Sequence, residues 1–222
     1  MVSKTKKTTK KTATVSTAVK KYVAKKLDNA IEDKYNIIDM TAGGLTSIPS
    51  TWVEVNGVNP AQGIAKNQRI GTKIRVKSIE VNAVLAQGSG SVLTDDPYNI
   101  MRIVIGKYTG QTATPLATAG ITMHQPIKKD WTDARGTLIQ KYVDRYVPLE
   151  VQSTEKGGGD GYTPALKSFR YYKRFKNFVI TYNDDTNNYP NQRLIMSVIS
   201  DSGAVTNPGF VAGYTVVRYE DA

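Results

Sequence analysis

The stretch Thr72–Gln87, TKIRVKSIEVNAVLAQ, decides the fold. Ile74 and Val76 occupy one parity, whereas Ile79, Val81, Ala83 and Leu85 occupy the other. Alternation of period two describes a strand with one buried face. A change of parity near Lys77-Ser78 requires a bulge or a bend between two sheets, because one extra residue moves every later side chain to the opposite face. A bulged strand of this length belongs to a large, curved sheet.

Working outward, the same period recurs on both sides. Tyr35–Met40 is a short apolar run ended by Thr41-Ala42-Gly43-Gly44, and Ile48–Val55 reads as a strand interrupted by Pro49. Residues 56–71 read as a loop from their Asn, Gly and Pro content. Tyr98–Tyr108 is a nearly continuous apolar strand. In Leu138–Val151, Ile139, Val143, Val147, Leu149 and Val151 share one parity. Phe169–Tyr182 changes phase as the first strand does, and Arg193–Ser200 and Phe210–Tyr219 complete the set. The connections at 109–136 and 152–166 read as long loops, the second carrying Gly157-Gly158-Gly159-Asp160-Gly161. About eight strands without intervening helical patterns exclude a βαβ sheet. The expected fold is all-β, an eight-stranded antiparallel sandwich of jelly-roll type, over residues 35–222.

Residues 1–34 read differently. The nine lysines Lys4, Lys6, Lys7, Lys10, Lys11, Lys20, Lys21, Lys25 and Lys26 occur before the first acid, Asp28. They are nine of the chain's 30 basic residues, leaving 21 against 19 acids, so +9 of the net +11 sits in the arm. Residues 1–14 hold too little apolar surface to offset chain entropy and are expected to be disordered. Over 15–34 the residues Val15, Val19, Tyr22, Val23, Leu27 and Ile31 recur at helical spacing, with Thr14 or Ser16 available as a cap. Asp28, Glu32 and Asp33 near that helix's end oppose its dipole and call for partners elsewhere.

Catalytic chemistry finds little support. The chain has no cysteine and one histidine, His124, with no nucleophile motif beside it. The glycine cluster lacks the Gly-Lys-Ser/Thr ending of a phosphate loop. Asp95-Asp96 and Asp184-Asp185 fit turns better than cation sites. No run reaches the roughly 18–20 apolar residues that span a bilayer. The expectation is a protein that is not an enzyme and does not enter membranes.

Polyanion binding is the better reading. Lysine suits contact with a phosphate backbone that is independent of sequence and sensitive to salt. The segment 167–176 interleaves Lys167, Arg170, Lys173, Arg174 and Lys176 with Phe169, Tyr171, Tyr172 and Phe175. Cations meet phosphates and aromatic faces stack on unpaired bases, although a core strand with a solvated basic face has the same pattern. Paired lysines such as Lys10-Lys11 also suit nuclear import.

Asn67-Gln-Arg-Ile-Gly-Thr-Lys-Ile-Arg-Val-Lys-Ser-Ile-Glu-Val81 and the ending Tyr214-Thr-Val-Val-Arg-Tyr-Glu-Asp-Ala222, together with the arm helix and strand order, resemble coat proteins of the satellite tobacco necrosis virus type. The similar capsid proteins of some small circular single-stranded DNA viruses are included. The resemblance spans nearly the whole chain and implies a jelly roll in a T=1 shell of sixty copies around a single-stranded genome. It implies arm helices gathered at threefold axes through Val15, Val19, Tyr22, Val23, Leu27 and Ile31. It also implies calcium between subunits. Asp221 matches a ligand carboxylate, the carbonyls of Ile70 and Lys73 match its partners, and Glu32 matches an acid near the threefold axis. Longer loops, and Thr72 where the family carries an acid, depart from that pattern. No other cofactor is implied. The expected location is the virion and the host cell interior, including the nucleus if the genome is DNA. The alternative is a non-assembling single-strand-binding or carbohydrate-binding β-sandwich with a basic tail.

Overall fold

The computed structural model describes residues 16–22, 33–40, 52–55, 60–87, 98–110, 115–128, 130–132, 138–153, 162–164, 166–182, 190–202 and 208–222. The chain divides into two units, Met1–Glu32 and Asp33–Ala222. In the first, helix α1 is described over residues 17–22. Its start follows from Ser16, whose Oγ accepts a hydrogen bond from the Val19 amide at 3.4 Å, the contact of an N-cap residue. The expected disorder of 1–14, and the rest of the helix at Val15, Val23, Leu27 and Ile31, lie outside the described residues.

The second unit is all-β. Its strands are β1 (Lys34–Met40), β2 (Val53–Glu54), β3 (Lys73–Ala86), β4 (Tyr98–Tyr108), β5 (Asp130–Thr132), β6 (Leu138–Ser153), β7 (Tyr162–Pro164), β8 (Leu166–Thr181), β9 (Arg193–Ser200) and β10 (Gly209–Asp221). One sheet runs β1-β10-β3-β8. The other runs β2-β9-β4-β6-β5, with β7 also on β6. Every strand pair is antiparallel. In chain order the strands alternate between sheets from β1 to β4 and again from β8 to β10, whereas β4, β5, β6 and β7 all belong to the second sheet.

The change of parity in β3 is a bulge. Register with β8 slips between Val76 and Ser78, and register with β10 slips between Arg218 and Tyr219. Ile74 and Val76 before it and Ile79, Val81, Ala83 and Leu85 after it are all buried. In β8 the residues 175–177 face the single Lys77, so Phe169 before the slip and Phe178 and Ile180 after it enter one core. That core is closed from the other sheet by Met101, Ile103, Ile105, Leu149, Leu194, Met196 and Val198.

Three expectations need correction. The reading of 152–166 as one loop is too broad, since β6 continues to Ser153 and Tyr162–Pro164 forms β7. Ile139 does not share a face with Val143, Val147 and Leu149. Between β4 and β6 the register slips where Ile105 faces Val143 and Gly106 faces Lys141, leaving Tyr142 as the extra residue. Ile139 consequently joins a second cluster with Trp52, Val104, Tyr108, Ile195 and Ile199. Gly106 permits this pairing: a Cβ there would stand 2.7 Å from the Gln140 carbonyl oxygen.

Segment 109–136 is also more than a loop. Helix α2 (Pro115–Thr118) begins a cover whose Leu116, Ile121, Met123 and Ile127 close the second cluster over the outer face of β9-β4-β6. All eight residues of β9 are buried as a result. The cover is held by Arg102, itself fully buried. Its Nε and Nη2 donate to the two carboxylate oxygens of Asp144 at 2.8 and 2.9 Å, and Nη1 donates to the carbonyls of Met123 and Gln125 at 2.6 and 2.8 Å. Tyr146 adds a hydroxyl bond to Met123 O at 3.0 Å, and Trp52 Nε1 donates to Ile121 O. Burial opposes charge on Asp144, but the bonds and charge of Arg102, aided by Lys141, outweigh it and hold its carboxyl below the usual range.

At the edge strand β2 the balance reverses. Glu54 lies 3.2 Å from Arg193, yet burial outweighs that attraction and pushes its carboxyl from 4.5 up to about 7.

Two measurements follow from these buried charges. Asp144→Ala leaves the Arg102 guanidinium buried and unpaired, and should cost about 3–5 kcal/mol in urea unfolding. Glu54 keeps its proton in the folded chain where the unfolded chain has lost it, so stability falls as pH rises from about 4.5 toward about 7. Glu54→Gln should flatten the unfolding midpoint over that window; an unchanged pH slope would assign it elsewhere.

Candidate nucleic-acid interface

Of the nine arm lysines, Lys20 and Lys21 lie on the described part of α1, both exposed. Lys4, Lys6, Lys7, Lys10, Lys11, Lys25 and Lys26 lie outside the described residues. On the same helix Val19 and Tyr22, spaced by one turn, are 49% and 64% exposed. Two members of the expected apolar stripe are thus exposed on the described part of α1.

In the body, register assembles a surface that the sequence does not spell out. Outward residues of the first sheet align across four strands in three rows. Arg174 faces Ser78, then Arg218, then Tyr35. Tyr172 faces Glu80, then Val216, then Ile37. Arg170 faces Asn82, then Tyr214, then Asp39. Tyr35, Ile37, Tyr172 and Tyr214 are all exposed on this face. The Arg174 Nε donates to the Tyr172 hydroxyl at 2.8 Å, and this bond holds the phenol below its usual range. Glu80 accepts from Asn82 at 3.0 Å and pairs with Arg218 at 3.4 Å. Gly213 leaves a shallow hollow of about 280 Å³ beside Arg170 and Tyr214. Three guanidinium groups against two carboxylates, among three open tyrosines, can pair with phosphates and stack bases.

The five basic residues expected from segment 167–176 do not act together. Arg170 and Arg174 join the outer face, and Lys167 is exposed at the start of β8. Lys173 and Lys176 border a separate recess where β8 passes β6. Alternation before the slip already separates Lys173 from Arg170 and Arg174, and the bulge opposite Lys77 adds Lys176 to the recess side. Arg218, Tyr214 and Tyr35 were not singled out from the sequence, because each is an isolated aromatic or cation there. Only register reveals their alignment with β8. His124 is exposed in the cover segment.

The residues matched to calcium are partly brought together. The Asp221 carboxylate accepts the Ile70 amide at 3.0 Å and meets the Lys34 ammonium at 2.7 Å. Lys34 also donates to Gln68 O, while Lys73 O accepts from the Ala222 amide. Glu32 lies outside the described residues. Ile70 thus presents its N–H rather than its carbonyl, and an ammonium already meets the one carboxylate, so these residues of a single chain do not fit a calcium ion. Among the described residues no three His, Asp or Glu side chains form a group that could hold a metal. Of the acids at the end of the arm, Asp33 has its partner in Lys77, at 2.8 Å, and Lys77 also binds Glu220 at 2.7 Å.

Compared with known proteins, the chain matches no family model and no curated protein sequence.

If bases stack on the outer face, Tyr172→Ala and Tyr214→Ala should each weaken a thymidine oligonucleotide by about 1–3 kcal/mol, read by fluorescence anisotropy. Unaltered affinity in both variants would remove this face from strand binding.

Proposed function

We propose that this chain is a viral coat protein that self-assembles into a T=1 shell of sixty copies and packages a single-stranded genome with its lysine arm. The observation that carries the reading is the strand order. The order of the sheets β1-β10-β3-β8 and β2-β9-β4-β6, with β5 and β7 as small additions, supports reading them as an eight-stranded jelly roll. A jelly roll alone does not specify a coat. The charge distribution narrows the choice: nine lysines precede any acid, while the remainder of the chain carries only +2. A near-neutral body can pack against its copies without strong repulsion, and a separate cationic arm meets the polyanion. Sixty arms would bring on the order of 540 positive charges to a genome.

Val19 and Tyr22, open on α1, support association of arms with one another or with neighbouring subunits. Such contact fits helices gathered at threefold axes. The role is structural rather than catalytic, and the virion is the place of action.

Electron microscopy of the purified full chain should reveal closed shells of uniform size under some condition of pH and salt. Monomers and small oligomers under every condition would defeat the reading. Deleting residues 1–26 should leave shells nearly free of nucleic acid, scored by the ratio of ultraviolet absorbance from nucleic acid to that from protein. An unchanged ratio would take packaging away from the arm.

A further inference from the structure

Where the edge strand β8 passes β6, the two sheets leave a recess of about 450 Å³. This is the scale of small-ligand sites, which commonly run from about 300 to 1,000 Å³. Its cations are Lys107, Lys141, Lys173, Arg174 and Lys176, and among the described residues no carboxylate lines it. Two of these groups are otherwise engaged: Lys141 with Asp144 at 3.2 Å and Arg174 with the Tyr172 hydroxyl. Among the described residues Lys107, Lys173 and Lys176 make no ion pair. The nearby Asp130 on β5 accepts from Gln140 at 3.1 Å. Like charges gathered in a concavity repel one another and focus a positive potential, which an anion relieves.

The other wall is aromatic. Phe175 lies 5.5 Å from Tyr142 and 5.1 Å from Phe178, centroid to centroid. Lys173 Nζ stands 4.3 Å from the Tyr142 ring centre and Lys107 Nζ 6.0 Å from that of Phe178. Both bulges build this wall. Tyr142 is the extra residue of β6, and Phe175 lies where β8 changes phase. The chain thus places three ammonium groups, without an ion pair among the described residues, beside a row of rings.

We propose that this recess binds one nucleotide unit of a single strand, its phosphate on Lys107, Lys173 and Lys176 and its base against the partly exposed Tyr142 and Phe175 rings, which Phe178 backs from the core. The proposal rests on the single-strand-binding reading above and extends it to a second site outside the arm. A sulfated sugar would use the cations but would leave the ring row without a planar partner.

The test uses the full chain and a labelled thymidine tetranucleotide, followed by anisotropy over a range of salt. An abasic phosphodiester of equal length and a sulfated tetrasaccharide serve as competitors. The expected result is preference for the base-bearing strand over both. Lys107→Gln/Lys173→Gln should lose about tenfold in affinity and lower the salt slope by about 0.7, the share of one phosphate of a single strand. Phe175→Leu should narrow the preference over the abasic strand while leaving the salt slope unchanged. Tetranucleotide binding with the parent's slope and base preference in both variants overturns the recess alone. A full chain that binds neither this probe nor a long single strand overturns the reading beneath it. Equal or stronger competition by the sulfated sugar also overturns the proposal and makes the recess a glycan site.

Discussion

A fully buried guanidinium with one carboxylate partner is the constraint on which the second sheet depends. Arg102 is on the outer face of β4, where an ordinary sandwich strand would meet water. It instead meets both Asp144 oxygens and three carbonyls of the segment that folds over it, those of Thr122, Met123 and Gln125. Burying a charge costs several kcal/mol unless geometry and hydrogen bonds compensate. The compensation here requires β6, which carries Asp144, and residues 123–125 to be in place together. That requirement couples the cover to the sheet, and with it the Trp52–Leu116–Ile121–Met123 cluster. Sheet and cover should therefore form as one cooperative unit.

The bulges have a second consequence, on charge. A strand without a slip would send Lys167, Lys173 and the inward aromatics to one side and Arg170, Arg174 and Lys176 to the other. The slip opposite Lys77 moves Lys176 to the recess side and keeps Phe178 in the core. One basic strand thereby serves two surfaces. Arg170 and Arg174 reach the flat face, where planar guanidinium groups lie beside open tyrosines, while Lys173 and Lys176 line the recess, whose rim Arg174 also reaches. The same residue types in the same strand acquire different chemistry through backbone register.

What could be read beforehand follows from the reach of periodicity. β3, β4 and β9 were legible because their apolar residues form unbroken short-range patterns, and the bulge in β3 was legible because two parities occur in one run. The face of Ile139 was not, since Val143, Val147 and Leu149 share its parity and the slip at Tyr142 leaves no compositional mark. Nor was the cover at 115–128. Leu116, Ile121, Met123 and Ile127 are spaced irregularly, and their burial depends on Arg102 and Asp144, which are distant in sequence. The basic segment was visible as composition, but its division between two surfaces depends on which β3 residue faces which β8 residue. Asp33 shows the favourable case: its placement at the end of the expected helix called for an outside partner, and it pairs with Lys77.

The distribution of charge along the chain also bears on how assembly and packaging could be balanced in the proposed shell. Exposed charges beyond about 8 Å are largely screened at physiological ionic strength, so body-to-body contact is governed by local pairs and apolar area rather than by net charge. Clusters such as Arg75, Lys77, Asp33 and Glu220 are internally neutral and add little repulsion. The nine arm lysines are different. Brought together without a polyanion they repel one another, and each phosphate contact releases counterions in a salt-dependent way. Packing of bodies should therefore tolerate salt, while gathering of arms should be favoured by nucleic acid and weakened by salt. A recess that binds one nucleotide at the sheet edge would add a short-range contact that salt weakens less, because part of its affinity comes from ring stacking rather than from ion release. The arm would then set how much strand is drawn in, and the recess would set where part of it rests.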